Sequence, residues 1–387
     1  MRAQWDSNPR HVDCSSVRTI RVHCSTKLSY GPAQAYLKWK DIKVHLLNLK
    51  MGIGAVYMQD SFEKKLVELN RPVRERLASL FDGRERPWEV YGLLSEFLSS
   101  EGKLLRPALC LSACGAVGGN AEDAVPAAAA IEMFHNFTLI HDDIEDDSKM
   151  RRGHPCMHVK YGLPLALNAG DGLFMMVWRE TLRIPGARRE EAQKRLLAAF
   201  TQVLEGQAIE LGWYQSKKWD VDEKEYYRVV EGKTGALIAG ACEVGALLGG
   251  ADAKTCRQMR DFGMGIGVGF QIIDDVLNIA GNVEKYGKEI GGDITEGKRT
   301  LMTIRASQML PAQKSRKLGV ILKKETKTAK DVEAAVALLK ESGAVESATR
   351  SAEEITARAM GNLESLAPNP GRVFLGELAQ YITMREK

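Results

Sequence analysis

From about residue 59 onward the chain repeats apolar residues at three- and four-residue spacing in one segment after another. FEKKLVELNRPVRERLASLF, WEVYGLLSEFL, AVPAAAAIEMFHNFTLIHDD, KRLLAAFTQVLEGQ, KEYYRVVEGKTGALIAGACEVGALL and DVEAAVALLKESGAVESATRSAEEITARAM all carry the stripe of an amphipathic or buried helix. Alternating runs bounded by turn pairs are nearly absent, so the pattern predicts one all-α domain over residues 58–387 with no internal linker. Residues 1–57 differ. There basic residues outnumber acidic ones, Ser, His and Cys are frequent, and no helical period is sustained, as in a targeting peptide or translated upstream sequence before Met51 or Met58.

Composition narrows the class. With 44% hydrophobic and 27% charged residues in 387, a globular fold is expected rather than disorder. A net charge of +4 without a long basic tract argues against a nucleic-acid partner. No apolar stretch is read as reaching the ~18 residues that span a bilayer, so no transmembrane segment is expected. The seven cysteines contain no C-x-x-C pair, which suits a reducing compartment. The cytoplasm is the expected location, or an organelle if the N-terminal extension is a targeting sequence. Cys110 and Cys114, at i,i+4, read as small core residues.

The stretch GMGIGVGF, with Gly263, Gly265, Gly267 and Gly269, resembles a dinucleotide fingerprint only superficially, because the spacing is not G-x-G-x-x-G and no strand precedes it. Inside a helix each Gly costs about 1 kcal/mol relative to Ala, so the run implies close approach by another backbone or a ligand.

Two acidic boxes carry the candidate chemistry. LIHDDIEDDSKMRRG places five carboxylates, Asp142, Asp143, Glu145, Asp146 and Asp147, in six positions and follows them with Arg151 and Arg152. His135, Thr138, Asp142 and Asp146 share one helical stripe. FQIIDDVLN repeats the motif: Gln271, Asp274 and Asn278 share a stripe with Asp275 beside them. Carboxylates without His or Cys are hard ligands, suited to Mg²⁺ or Mn²⁺, and Mg²⁺ commonly shares its shell with substrate phosphates. A diphosphate held between two such boxes would also need side-chain cations. Lys103 and Arg106 in GKLLRP, Arg151 and Arg152 in RRG, Lys233 in EGKTG, Lys288 in YGKEIGGD and Lys298 in EGKRT are the candidates.

In this order, GKLLRP, IEMFHNFTLIHDDIEDDSKMRRG, NAGDGL, GQAIEL, EGKTG, FQIIDDVLN and YGKEIGGDITEGKRT resemble the trans-isoprenyl diphosphate synthases from about Leu66 to Thr303. The resemblance implies an all-α isoprenoid-synthase bundle around a central cavity, a homodimer, and head-to-tail condensation of isopentenyl diphosphate with an allylic diphosphate. It further implies that Asp142 and Asp146 ligate two Mg²⁺ ions and Asp274 a third, with Asp143, Asp275 and Asn278 in support, and that Mn²⁺ can substitute. Lys233, Arg151 and Lys288 would hold the allylic diphosphate, and Lys298 is a further substrate-binding residue. Lys103, Arg106, His135 and Arg152 would hold isopentenyl diphosphate, and Thr234 and Gln271 would turn dipoles toward the allylic cation. Three positions depart from the family's usual pattern: Glu101-Gly102-Lys103-Leu104 lacks one customary basic residue, Asn278 replaces Asp, and Glu210 stands where Asp is commoner.

In this family the residues four and five before the first box help set product length. Here they are Thr138 and Phe137, and an aromatic at the fifth position alone, with an uninserted box, resembles the archaeal type of geranylgeranyl diphosphate synthase. On an ideal helix Phe137 points about 140° away from Asp142, so its place in the tunnel rests on the resemblance. Farnesyl or longer products are the alternative. A class I terpene cyclase would carry a different second metal motif and would not need Lys103, Arg106 and His135. A non-catalytic partner subunit would be expected to have eroded one of the boxes.

Overall fold

The computed structural model describes residues 62–83, 86–99, 102–281 and 290–383. These belong to one compact unit, Ser61–Lys387. The extension over residues 1–57 and Lys288 lie outside the described residues.

The described chain is a stack of helices, as the periodicity predicts. Its only sheet is a two-stranded hairpin, Met150–Arg151 paired with His154–Pro155. Three expected continuous helices are interrupted. The first breaks at Asn70, because Pro72 in the following Arg71–Ala78 helix has no N–H to continue the ladder. Asn70 is fully buried there and donates from Nδ2 to Leu104 O at 3.0 Å. The second, Lys224–Leu248 in the sequence pattern, contains a π-helical turn at Glu231–Gly235. The third divides at Gly343, whose φ of +74° separates Ala329–Glu341 from Ala344–Gly361.

Two long helices carry the acidic boxes. Val125–Glu145 starts with Pro126 in its first turn and buries its Ala-rich half, so that its polar end emerges at Asp142–Asp146. Ala253–Ala280 is capped by Asp252, whose side chain accepts from Thr255 N. Phe262 and Ile266 join the larger apolar core with Phe134 and Leu173, while Ile272 and Val276 join a second core with Leu301 and Leu339. Against the expectation of no such stretch, this helix is long and apolar enough to cross a membrane, but 67% of the qualifying window is buried inside the fold.

Its glycines explain that burial. A Cβ on Gly263 would stand 2.7 Å from Ile238 O, and one on Gly265 2.6 Å from Ala359 Cβ. The helix is thus gripped on one side by Ala236–Leu248 and on another by Ala344–Gly361, so backbone and small side chains, rather than a ligand, make the close approach.

Candidate active site

At the first box, Asp142 is half-buried and Asp146 exposed at the helix end. Burial raises the Asp142 pKa to about 6, with Asp146 and Glu145 pushing the same way and Lys233 opposing. Asp146 is raised for similar reasons. Both oxygens-only side chains therefore sit where added positive charge is stabilising, which fits a hard divalent cation. Among the described residues no group of three or more His, Cys, Asp or Glu side chains is placed to hold a metal ion by itself. A metal bound here would complete its shell with phosphate oxygens and water.

Asp143 behaves differently from its neighbours. It is 1% exposed and accepts from Arg151 Nε at 2.9 Å, so it fixes Arg151. Arg152 and Gly153 form the turn of the short hairpin with φ of +52° and +81°, the paired left-handed conformation of a two-residue hairpin turn. The RRG motif is therefore a device that folds back two arginines directly after the box.

The π-helical turn Glu231–Gly235 joins the two boxes. Lys233 donates to Glu210 at 2.7 Å. Burial works against its charge, yet Glu210, Asp142 and Asp146 together hold its pKa above the ordinary value. The next residue, Thr234, donates from Oγ1 to Gln271 Oε1 on the second-box helix at 2.8 Å. Consecutive residues thus face opposite boxes, as the wider turn of a π-helix permits.

At the second box, Asp274 is half-buried. Asp275, 2% exposed, accepts from Tyr226 Oη at 3.0 Å, Gln271 Nε2 at 2.9 Å and Lys298 Nζ at 2.8 Å. Burial opposes the Lys298 charge, but Asp275 and Asp293 hold its pKa well above the ordinary value. Asn278 accepts on Oδ1 from Asp293 N at 3.1 Å. Asp275 and Asn278 are therefore engaged by neighbouring side chains and backbone in this arrangement.

A second cluster gathers Arg106, Arg152 and His135. Arg106 is half-buried and its Nε has no hydrogen-bond partner among the described residues, which makes it a donor suited to an anion. His135 has its pKa driven well below 6.5 by burial and then by Arg106, Arg152 and Arg151. A cavity of about 280 Å³ is lined by Arg74, Gly102, Leu104, Glu132, Asn136 and Arg152. Lys103 is more than half exposed, bonded to Tyr381 and 3.6 Å from Glu63. Phe137 is 8% exposed, its ring 5.1 Å from Phe174 and 5.5 Å from Phe134, while Thr138 donates to His135 O.

The sequence profile of the polyprenyl synthetase family matches residues 88–339. The chain belongs to that family. It is a trans-prenyltransferase by that membership. It is 38% identical over 303 residues to a geranylgeranyl diphosphate synthase from Methanosarcina mazei, covering 78% of this chain and 91% of that one. A short chain isoprenyl diphosphate synthase from Methanothermobacter thermautotrophicus is 37% identical over 290 residues, 75% of this chain and 88% of that one. The solved geranylgeranyl pyrophosphate synthetase of Pyrococcus horikoshii Ot3 superposes with a TM-score of 0.80 at 31% identity, covering 85% of this chain and 100% of that one.

Several residues of this polyprenyl synthetase that hold the site together were missed in the sequence. Asn70 binds Leu104 O and Arg74 binds Gly102 O at 3.1 Å, pinning the GKLLRP turn from an unrelated segment. Glu132, 4% exposed, is a buried counter-charge to Arg106 and Arg152. Glu210 was noted only as a departure, and Tyr226 carried no signal beyond a buried helix face.

Proposed function

We propose that this polyprenyl synthetase is a Mg²⁺-dependent, chain-elongating enzyme that condenses isopentenyl diphosphate with dimethylallyl, geranyl and farnesyl diphosphates to give geranylgeranyl diphosphate. The observation that carries the reading is the Lys233–Thr234 pair, which spans both acidic boxes. An allylic diphosphate lying between the boxes meets cations at one end and the Thr234 and Gln271 oxygens at the other.

Asp142, Asp146 and Asp274 are the residues that would hold Mg²⁺, in a set of three ions, or Mn²⁺ in its place. Mg²⁺ held there would supply Lewis-acid stabilisation of the departing diphosphate. Lys233 and Arg151, joined by Lys298 and Lys288, bind and orient that diphosphate. The polar oxygens of Thr234 and Gln271 stabilise the allylic cation without attacking it, as preorganised dipoles do. Arg106, Arg152, Lys103 and the neutral His135 hold isopentenyl diphosphate so that its double bond meets the cation. The proton lost in the last step passes to the released diphosphate, and no covalent enzyme intermediate is involved.

Product length rests on Phe137 with Thr138. A farnesyl or longer product is the second reading, the longer one supported by a 30% identical geranylfarnesyl diphosphate synthase from Natronomonas pharaonis. A homodimer is supported by the exposed Leu163, Leu167, Met175, Leu182, Leu197 and Leu204 on or beside two successive helices, Leu163–Thr181 and Arg189–Gln215, an apolar surface that a second copy would cover. We further propose a domain beginning near residue 58 and a cytoplasmic location.

The test is product analysis with labelled isopentenyl diphosphate and each allylic primer, with Mg²⁺ and with EDTA. Twenty-carbon product abolished by chelation and restored by Mg²⁺ is expected. Full turnover in chelator would sink the metal mechanism, and a cyclic hydrocarbon would replace the assignment with a cyclase.

A further inference from the structure

Asp275 is the hub of the second box. Its Oδ1 accepts from Gln271 Nε2 at 2.9 Å and Lys298 Nζ at 2.8 Å, and its Oδ2 accepts from Tyr226 Oη at 3.0 Å. Tyr226 is 3% exposed and comes from the Glu223–Val230 helix, whose start is fixed by a reciprocal capping box between Asp222 and Glu225. Facing a carboxylate oxygen at 3.0 Å, the phenol hydroxyl is the donor of this bond.

The Gln271 amide is clamped at both ends. Its nitrogen donates to Asp275 and its oxygen accepts from Thr234 Oγ1 at 2.8 Å. The direction of its carbonyl dipole therefore depends on where the Asp275 carboxylate stands. A carboxylate bonded on both oxygens cannot rotate, while one bonded on a single oxygen can turn and carry its partners with it.

We propose that Tyr226 is a positioning residue for the condensation: by donating to Asp275 Oδ2 it locks the carboxylate that sets the Gln271 amide and the Lys298 ammonium. This rests on the function proposed above, in which Gln271 faces the allylic cation. A dipole held in place stabilises developing charge without reorganising, and one free to turn stabilises it less.

Tyr226→Phe keeps the ring and removes only the O–H. The expected result is a fall in kcat on the order of tenfold, the scale of a hydrogen bond to a charged group. The KM for isopentenyl diphosphate should stay within about twofold, because Arg106, Arg152 and His135 are untouched. Asp275→Asn and the double variant complete a cycle that separates this role from general weakening of the fold. If Tyr226 acts through Asp275, the double variant has the kcat of Asp275→Asn alone. An unchanged kcat in Tyr226→Phe, losses that multiply in the double variant, or an effect confined to the KM for isopentenyl diphosphate would each overturn the proposal. Failure of the unsubstituted protein to form any prenyl diphosphate would overturn the functional reading instead.

Discussion

Lys233 Nζ lies 2.7 Å from Glu210 Oε2, and the contact depends on two glycines: a Cβ on Gly206 would stand 2.5 Å from Lys233 N, and one on Gly232 2.9 Å from Gly206 Cα. The crossing brings GQAIEL against EGKTG and directs one ammonium at Glu210, Asp142 and Asp146. Lys233→Ala should raise the KM for the allylic diphosphate by roughly tenfold or more and leave that for isopentenyl diphosphate near its original value. Steady-state kinetics with each substrate varied in turn decide this. The opposite pattern would mean that the two subsites are exchanged.

Removing Asp142 or Asp274 as Ala should reduce turnover on the order of a thousandfold, since each contributes to stabilising charge on the leaving group. Asp147, 78% exposed and paired with Lys149, is the internal control and should lose little as Ala. A loss below about tenfold at Asp142 would show that the acidic run is only a solvated face.

Arg106→Ala and Lys103→Ala should act mainly on the KM for isopentenyl diphosphate, with Arg106 the larger effect. Arg106 keeps a buried donor without a partner among the described residues, whereas Lys103 is exposed and engaged with Tyr381 and Glu63. Equal effects on both substrates would contradict two separate subsites.

Burial and three arginines hold the His135 pKa well below 6.5 in the folded protein. The unfolded chain takes up a proton that the folded chain refuses, so this residue's contribution is intact above pH 6.5 and is lost as pH falls below it. Thermal unfolding of the ligand-free protein at about pH 7.5 and about pH 5.5 should show a larger drop for the unsubstituted chain than for His135→Gln. Equal drops would show that His135 is protonated within the fold.

Phe137→Ala should lengthen the products while isopentenyl diphosphate consumption is roughly maintained. The ring packs against Phe174 and Phe134, which remain as further obstacles, so twenty-five carbons is the expected first new product. Thr138→Phe should shift products toward fifteen carbons. Chromatography of the hydrolysed alcohols checks both, and an unchanged distribution in Phe137→Ala would place the floor of the tunnel elsewhere.

The helical class and the two acidic boxes were legible because they are local. A stripe at three- and four-residue spacing, or two carboxylates on one helix face, depends only on near neighbours in the chain. The helix breaks were less legible. Pro72 and Gly343 are visible signals, but the π-helical turn at Glu231–Gly235 interrupts a segment whose apolar period runs straight through it.

The sequence by itself determined the all-α fold, the polar ends of the two box helices and the set of cations available to a diphosphate. Tertiary structure alone decided how those groups are shared: that Asp143 fixes Arg151, that Asn278 holds Asp293, and that Asp275 gathers Tyr226, Gln271 and Lys298. It also decided that the glycine-rich helix meets two helices rather than a ligand. The reason is that a carboxylate's partner is set by which donors the packed helices bring within about 3 Å, and residues distant in sequence leave no periodic trace of that meeting.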